Sequence, residues 1–176
     1  GGTSVGSPER IKHVASLITR ERRNIVVLSA MSGTTNSLVE IAEYLYKGNV
    51  PGAQEVMNGL YAKYMTVVEQ LFSTMQGKAR AASVITRVFA LLRSYFSETL
   101  TEAGEKEILA QGELISTALM QTLMEERGIR SVLLPALDYM RTLENGEPDM
   151  QHIGVRLKRM IDLEPEADIF ITQGYI

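Results

Sequence analysis

Cysteine is absent from the 176 residues, which excludes disulfides and thiolate-held metals alike. Histidine is scarce: only His13 and His152 occur, on separate predicted helices, and neither has a partner at metal-ligand spacing. Surplus positive charge is also missing. The 18 Lys and Arg against 21 Asp and Glu leave a formal charge of −3, whereas a general nucleic-acid surface needs clustered cations to meet phosphates. No apolar run approaches the roughly 20 residues of a membrane span, and no signal-peptide pattern is visible. Neither nucleic acid nor membrane is therefore an expected partner, and a chain without cysteine suits a reducing, cytoplasmic setting. What remains, 45% apolar and 22% charged residues, is the composition of a globular chain with enough length for a real core.

The pattern is organised around Asn24 to Asn36, NIVVLSAMSGTTN. Ile25 to Leu28 form a continuous β-prone run, as in a strand covered on both faces. Small and hydroxyl residues follow, and then Leu38, Ile41, Ala42 and Leu45 recur at helical spacing. Strand, polar turn and helix in that order place the turn at the carboxyl end of a strand, where α/β sheets bind ligands. Hydroxyls and the free amides of a helix start can hold a small polar or anionic ligand there. The same residues equally suit a capped βα loop with no ligand, since Ser, Thr and Asn are ordinary caps.

The chain opens on Gly1 to Ser7, GGTSVGS, with Ser7 as N-cap and Pro8 as first residue of a helix carrying Ile11, Val14, Ala15 and Ile18. A glycine-rich turn running into a helix can cradle phosphate; glycine and serine also suit a flexible terminus, and neither the P-loop spacing nor GxGxxG is matched. After the break at Lys47–Gly52, two long helical patterns divided at Gly77 form a helical hairpin over about residues 51–100. Its Met and Tyr residues read as packing. Thr101 to Arg127 is a further helix containing Gln111-Gly112-Glu113-Leu114-Ile115-Ser116-Thr117. A mid-helix glycine costs about 1 kcal/mol against alanine, so Gly112 implies close approach by a backbone or a ligand. Glu113 lies near the apolar stripe of Leu109, Ile115 and Leu119, and a carboxylate there wants a cationic or hydrogen-bonding partner. Gripping an ammonium group is one reading, and a solvated glutamate is the other. Arg130–Leu137 and Ala167–Thr172 are the second and third strands, separated by the polar loop Asp138–Pro148 and a helix to about Leu163. Strands linked through helices imply a parallel sheet.

GGTSVG at 1–6, VVLSAMSGTTN at 26–36, QGELIST at 111–117, MRT at 140–142 and ITQGYI at 171–176 together resemble the aspartate kinases of the amino-acid kinase superfamily, in the family's order and near its spacing. The resemblance implies an α/β fold, a three-layer αβα sandwich with a mainly parallel open sheet of the carbamate kinase-like kind. It also implies ATP-dependent phosphorylation of the L-aspartate side chain to 4-phospho-L-aspartate, at the entry to lysine, methionine and threonine synthesis, with Mg²⁺ accompanying ATP. Gly1, Gly2, Thr3 and Ser4 match the family's KFGGTS phosphate loop, a nucleotide-binding role. Ser29, Thr35 and Glu113 match positions that hold the amino-acid substrate, and Tyr175 matches an aromatic position, usually Phe, lining the same pocket. The family's Lys-Phe before the glycines, its substrate arginine, its GGSD aspartate and its regulatory ACT domains have no counterpart here. The expectation is the substrate-binding portion of a kinase catalytic domain over 1–176, incomplete at both ends, with the hairpin inserted and no turnover by this chain alone. An unpaired strand edge would favour self-association, so a homo-oligomer is expected. A related kinase with another acceptor, or a non-catalytic helical interaction module built on the hairpin, are the alternative readings.

Overall fold

The computed structural model describes residues 1–19 and 23–174. Three strands, β1 (Asn24–Leu28), β2 (Ser131–Leu133) and β3 (Ile169–Gln173), form a parallel sheet in the order β1-β3-β2. The central strand β3 is buried along its whole length, as its unbroken apolar run requires. Ile169 and Ile171 face the larger core, and Phe170 faces a smaller one on the opposite side. The larger core takes in α1 (Pro8–Ile18), α2 (Thr34–Tyr46), α3 (Val50–Leu71), α4 (Met75–Ser94) and α5 (Glu102–Glu126). The smaller one is closed by α6 (Ala136–Tyr139) and α7 (Met150–Asp162). Helices therefore cover the sheet from both sides, the three-layer arrangement expected. No helix among the described residues is long and apolar enough to cross a membrane.

Several expectations change in detail. β1 is not covered on both faces: Ile25 and Val27 are 49% and 58% exposed. Ile25 pairs in register with Phe170 and so shares its face, but α7 packs over β2 and β3 and leaves β1 uncovered there. The second strand is only three residues long, because Pro135 opens the short helix α6 inside the span read as strand. The hairpin divides at Phe72–Thr74 rather than at Gly77. Thr74 caps α4 by accepting from the Gly77 amide at 3.0 Å, which places the glycine in the first helical turn. The start of α1 is as expected, with Ser7 as cap and Pro8 at the first position.

α5 is the axial helix, buried almost all round between Ala110 and Met124. Its far end fastens the hairpin. The Glu126 carboxylate accepts from the Ser73 amide and hydroxyl at 2.9 and 2.7 Å and from the Thr74 hydroxyl and amide at 2.9 and 3.3 Å. Burial alone would raise its pKa; the four donors outweigh burial and hold it at about 2. A depressed carboxylate stabilises the fold above its unfolded pKa of about 4.5 and loses that contribution as pH falls toward 2. Glu126→Gln is accordingly expected to lower unfolding stability by about 1–2 kcal/mol at pH 7, with the gap to wild type closing in urea titrations at pH 2–3. An equal gap at both pH values would sink that account.

Candidate functional site

Three of the sequence motifs meet at the carboxyl end of β1. The Met31–Gly33 turn leads straight into α2, whose N-cap is Gly33 in the left-handed region, at φ 79°, with no side-chain cap bond. Thr34, Thr35 and Asn36, expected in the loop, are the first helical residues. Thr34 is fully buried and shares a 2.8 Å hydrogen bond with the Tyr64 hydroxyl of α3. Burial raises the Tyr64 pKa well beyond the usual phenol range, so its proton stays in place. Thr35, one position on, is exposed at an end whose amides lack helical acceptors.

The glycine turn packs directly on this loop. An ideal Cβ on Gly2 would lie 2.9 Å from the Ala30 carbonyl oxygen, and one on Gly6 would lie 2.7 Å from the Ser32 hydroxyl. At Gly2 the close atom is backbone, so that position needs glycine for contact with protein; at Gly6 the crowding is with the Ser32 side chain. The Ser32 hydroxyl donates to the Gly2 carbonyl at 3.0 Å. The turn is braced internally by Ser4 donating to Gly1 at 2.9 Å, and Arg10 of α1 donates to the Thr3 carbonyl at 2.8 Å. Thr3 and Ser4 are exposed, and the Gly2 and Thr3 amides donate to no described group. That leaves exposed hydroxyls, and amides without a described acceptor, next to the β1–α2 loop.

Glu113 approaches from beneath, on α5. It is 6% exposed, so it is not the solvated helix glutamate that its residue type suggests. Burial raises its pKa, opposed by hydrogen bonds from the Ala30 amide and its own. Among the described residues no cation pairs with it. Gly112 makes this approach possible. A Cβ there would meet the Ala30 side chain at 2.7 Å and the Thr34 methyl at 3.3 Å, so the mid-helix glycine does mark close approach, by the β1–α2 loop. Ser116, one turn along, donates to the Ser29 carbonyl at 2.8 Å and fixes the half-buried Ser29 at the strand end.

Ser29, Thr35 and Glu113 thus converge on one loop, with Gly1, Gly2, Thr3 and Ser4 on its other side. Tyr175 lies outside the described residues. The preceding residues are anchored: Gln173 accepts from the Ala136 amide and donates to Thr117, both at 2.9 Å, and the Gly174 amide donates to Leu28 at 3.0 Å. Arg141 and Thr142 line a separate cavity of about 500 Å³ at the ends of β2 and β3. Among the described residues no cluster of three His, Cys, Asp or Glu side chains could hold a metal ion. Sequence reasoning missed Lys63, whose ammonium donates to the Ser32 carbonyl at 2.6 Å. Its one signal is its place beside Leu60, Tyr64 and Val67 on the buried stripe of α3.

The model of the amino acid kinase family matches residues 1–176. Lysine-sensitive aspartokinase 3 of Escherichia coli K12 is 28% identical over 190 residues, taking in 100% of this chain and 39% of that protein. The chloroplastic bifunctional aspartokinase/homoserine dehydrogenase 1 of Arabidopsis thaliana is 25% identical over 186 residues, 100% of this chain and 20% of that protein. A crystal structure of E. coli aspartokinase III in complex with aspartate and ADP superposes with a TM-score of 0.79 at 26% identity, covering 99% of this chain and 39% of the other. The chain therefore spans between one-fifth and two-fifths of the length of these relatives.

Proposed function

Because this chain belongs to the amino acid kinase family, we propose that it forms the acceptor-binding part of an ATP-dependent kinase for the side-chain carboxylate of L-aspartate, with 4-phospho-L-aspartate as product. The observation that carries this reading is Glu113, a buried carboxylate with no cationic partner among the described residues, under the loop that bears Ser29 and leads into Thr35 at the start of α2. An α-ammonium group supplies the charge that such a carboxylate needs. The kind of ligand recorded in the E. coli neighbour, aspartate with ADP, supports the same assignment.

In this reading Glu113 holds the substrate ammonium, and the Ser29 and Thr35 hydroxyls donate to carboxylate oxygens. Gly1, Gly2, Thr3 and Ser4 hold the transferring phosphate with backbone donors and hydroxyls. The acceptor carboxylate is already ionised. It attacks the γ-phosphorus, the bond to the bridging oxygen of ADP breaks, and no general base is needed. The protein's contribution is alignment and charge balance. Mg²⁺ would enter with the phosphates of ATP. The product's place at the entry to lysine, methionine and threonine synthesis, and a cytoplasmic setting, belong to the same proposal. The lysine, arginine and aspartate that the resemblance assigns to phosphoryl transfer have no counterpart in these 176 residues, so the chain alone is expected not to turn over.

The test is ADP release by the complete gene product that carries this chain, with and without L-aspartate. Release that depends on aspartate is the expected result. Release indifferent to aspartate, but dependent on an acceptor that lacks an ammonium group, would overturn the assignment.

A further inference from the structure

The hairpin supplies no group that holds substrate in the proposed reaction, yet two neighbouring residues of its first arm grip the site. Tyr64 bonds Thr34 at the start of α2, and Lys63 bonds the carbonyl of Ser32, two residues earlier. Four of the six lysines pair with carboxylates at the surface. Lys12 donates to the Gln70 carbonyl from an exposed position. Lys63 differs from all of them: it is half-buried with no carboxylate partner among the described residues, whereas the half-buried Lys78 pairs with Glu69, and burial lowers the Lys63 pKa. Its ammonium also lies 3.7 Å from where a Gly33 Cβ would stand, beside a helix N-terminus that is itself positive. A cation is unfavourable there unless a strong acceptor or an anion offsets it.

The contacts continue past Lys63 without a gap. Its ammonium holds the Ser32 carbonyl, and the Ser32 hydroxyl holds the Gly2 carbonyl at 3.0 Å. Gly2 in turn rests against the Ala30 carbonyl, and the Ala30 amide holds Glu113. We propose that Lys63 is a positioning residue that locks the glycine turn and the β1–α2 loop into one unit, so that phosphate and acceptor are presented in register. The inference rests on the reading of these two loops as the phosphate and acceptor sides of one site. Its consequence is specific: alignment, and hence kcat, depends on a residue of the hairpin that touches neither substrate.

The experiment uses the complete gene product with Lys63→Met, Lys63→Arg and Ser32→Ala, read by steady-state kinetics and by amide hydrogen exchange of residues 1–6 and 29–33. Lys63→Met is expected to lower kcat about tenfold with each KM changed less than about threefold, because misalignment acts on the reacting geometry. Lys63→Arg, which keeps a charged donor of similar reach, is expected to recover kcat to within about threefold of wild type. Exchange should quicken in both segments in Lys63→Met, and in residues 1–6 in Ser32→Ala. Wild-type kcat in Lys63→Met overturns the proposal, as does equal loss in the Arg variant or exchange that quickens evenly along the whole hairpin. If the wild type shows no aspartate-dependent release, the assigned reaction falls, and the exchange data still decide whether Lys63 locks the two loops.

Discussion

Glu113→Gln is expected to lower kcat/KM for L-aspartate by about 100-fold or more in the complete gene product, mostly through KM, because removing one partner of a buried charge pair costs about 2–5 kcal/mol. Glutamine matches glutamate in volume and its carbonyl can still accept from the Ala30 amide, so the loss isolates the charge. The same substitution is expected to help the ligand-free fold. Burial raises the Glu113 pKa, so the folded protein holds a proton that the unfolded chain releases, and stability falls as pH rises from the ordinary carboxylate range through the raised value. Whenever the carboxylate is ionised in the free protein its charge is unfavourable, and the substrate ammonium relieves it. Glu113→Gln should therefore melt at or above the wild-type temperature without aspartate and gain nothing when aspartate is added, whereas the wild type should gain. A variant that melts lower and is still protected by aspartate would show that the carboxylate serves the fold and not the ligand.

The buried state of Glu113 was beyond the reach of the sequence for a physical reason. α5 is enclosed on nearly every side, so its apolar residues trace no clean stripe against which a polar one stands out. β3 was legible because a central strand needs an unbroken apolar run on both faces, and Ile169 to Ile171 supply one. β1 has the same kind of run but lies at the edge, where the landing point of α7 decides what is covered. The glycine turn and the β1–α2 loop could each be read as a polar turn next to a helix. Their contact through Gly2, Gly6 and Ser32 joins segments 30 residues apart, and no local pattern records it. Lys63 lies 31 residues from the carbonyl it holds, so its role follows from the packing of α3 alone.

Gly112 separates a helix glycine that is needed from one that is merely tolerated. In sequence Gly59 and Gly112 look alike, each inside a long helical pattern. A Cβ at Gly59 meets nothing within 4 Å, while one at Gly112 would be 2.7 Å from the Ala30 Cβ, 3.3 Å from the Thr34 methyl and 3.5 Å from Leu38. Gly59→Ala should therefore raise stability by about 0.5–1 kcal/mol from backbone propensity. Gly112→Val adds bulk where three groups already close the space, and is expected to destabilise by about 2–3 kcal/mol through overpacking. Relief can come only from moving Ala30, since α5 is fixed by its burial elsewhere. Ala30 cannot move alone: its amide holds Glu113 and its carbonyl backs Gly2. A shift of about 1 Å there would misplace acceptor and phosphate together, and misplacement on that scale costs about 100-fold in rate. Gly112→Val should thus lose about 100-fold in kcat at temperatures where circular dichroism shows it fully folded. If the folded variant keeps wild-type kcat, the loop yields without disturbing the site, and the coupling of α5 to the β1–α2 loop is one of packing only.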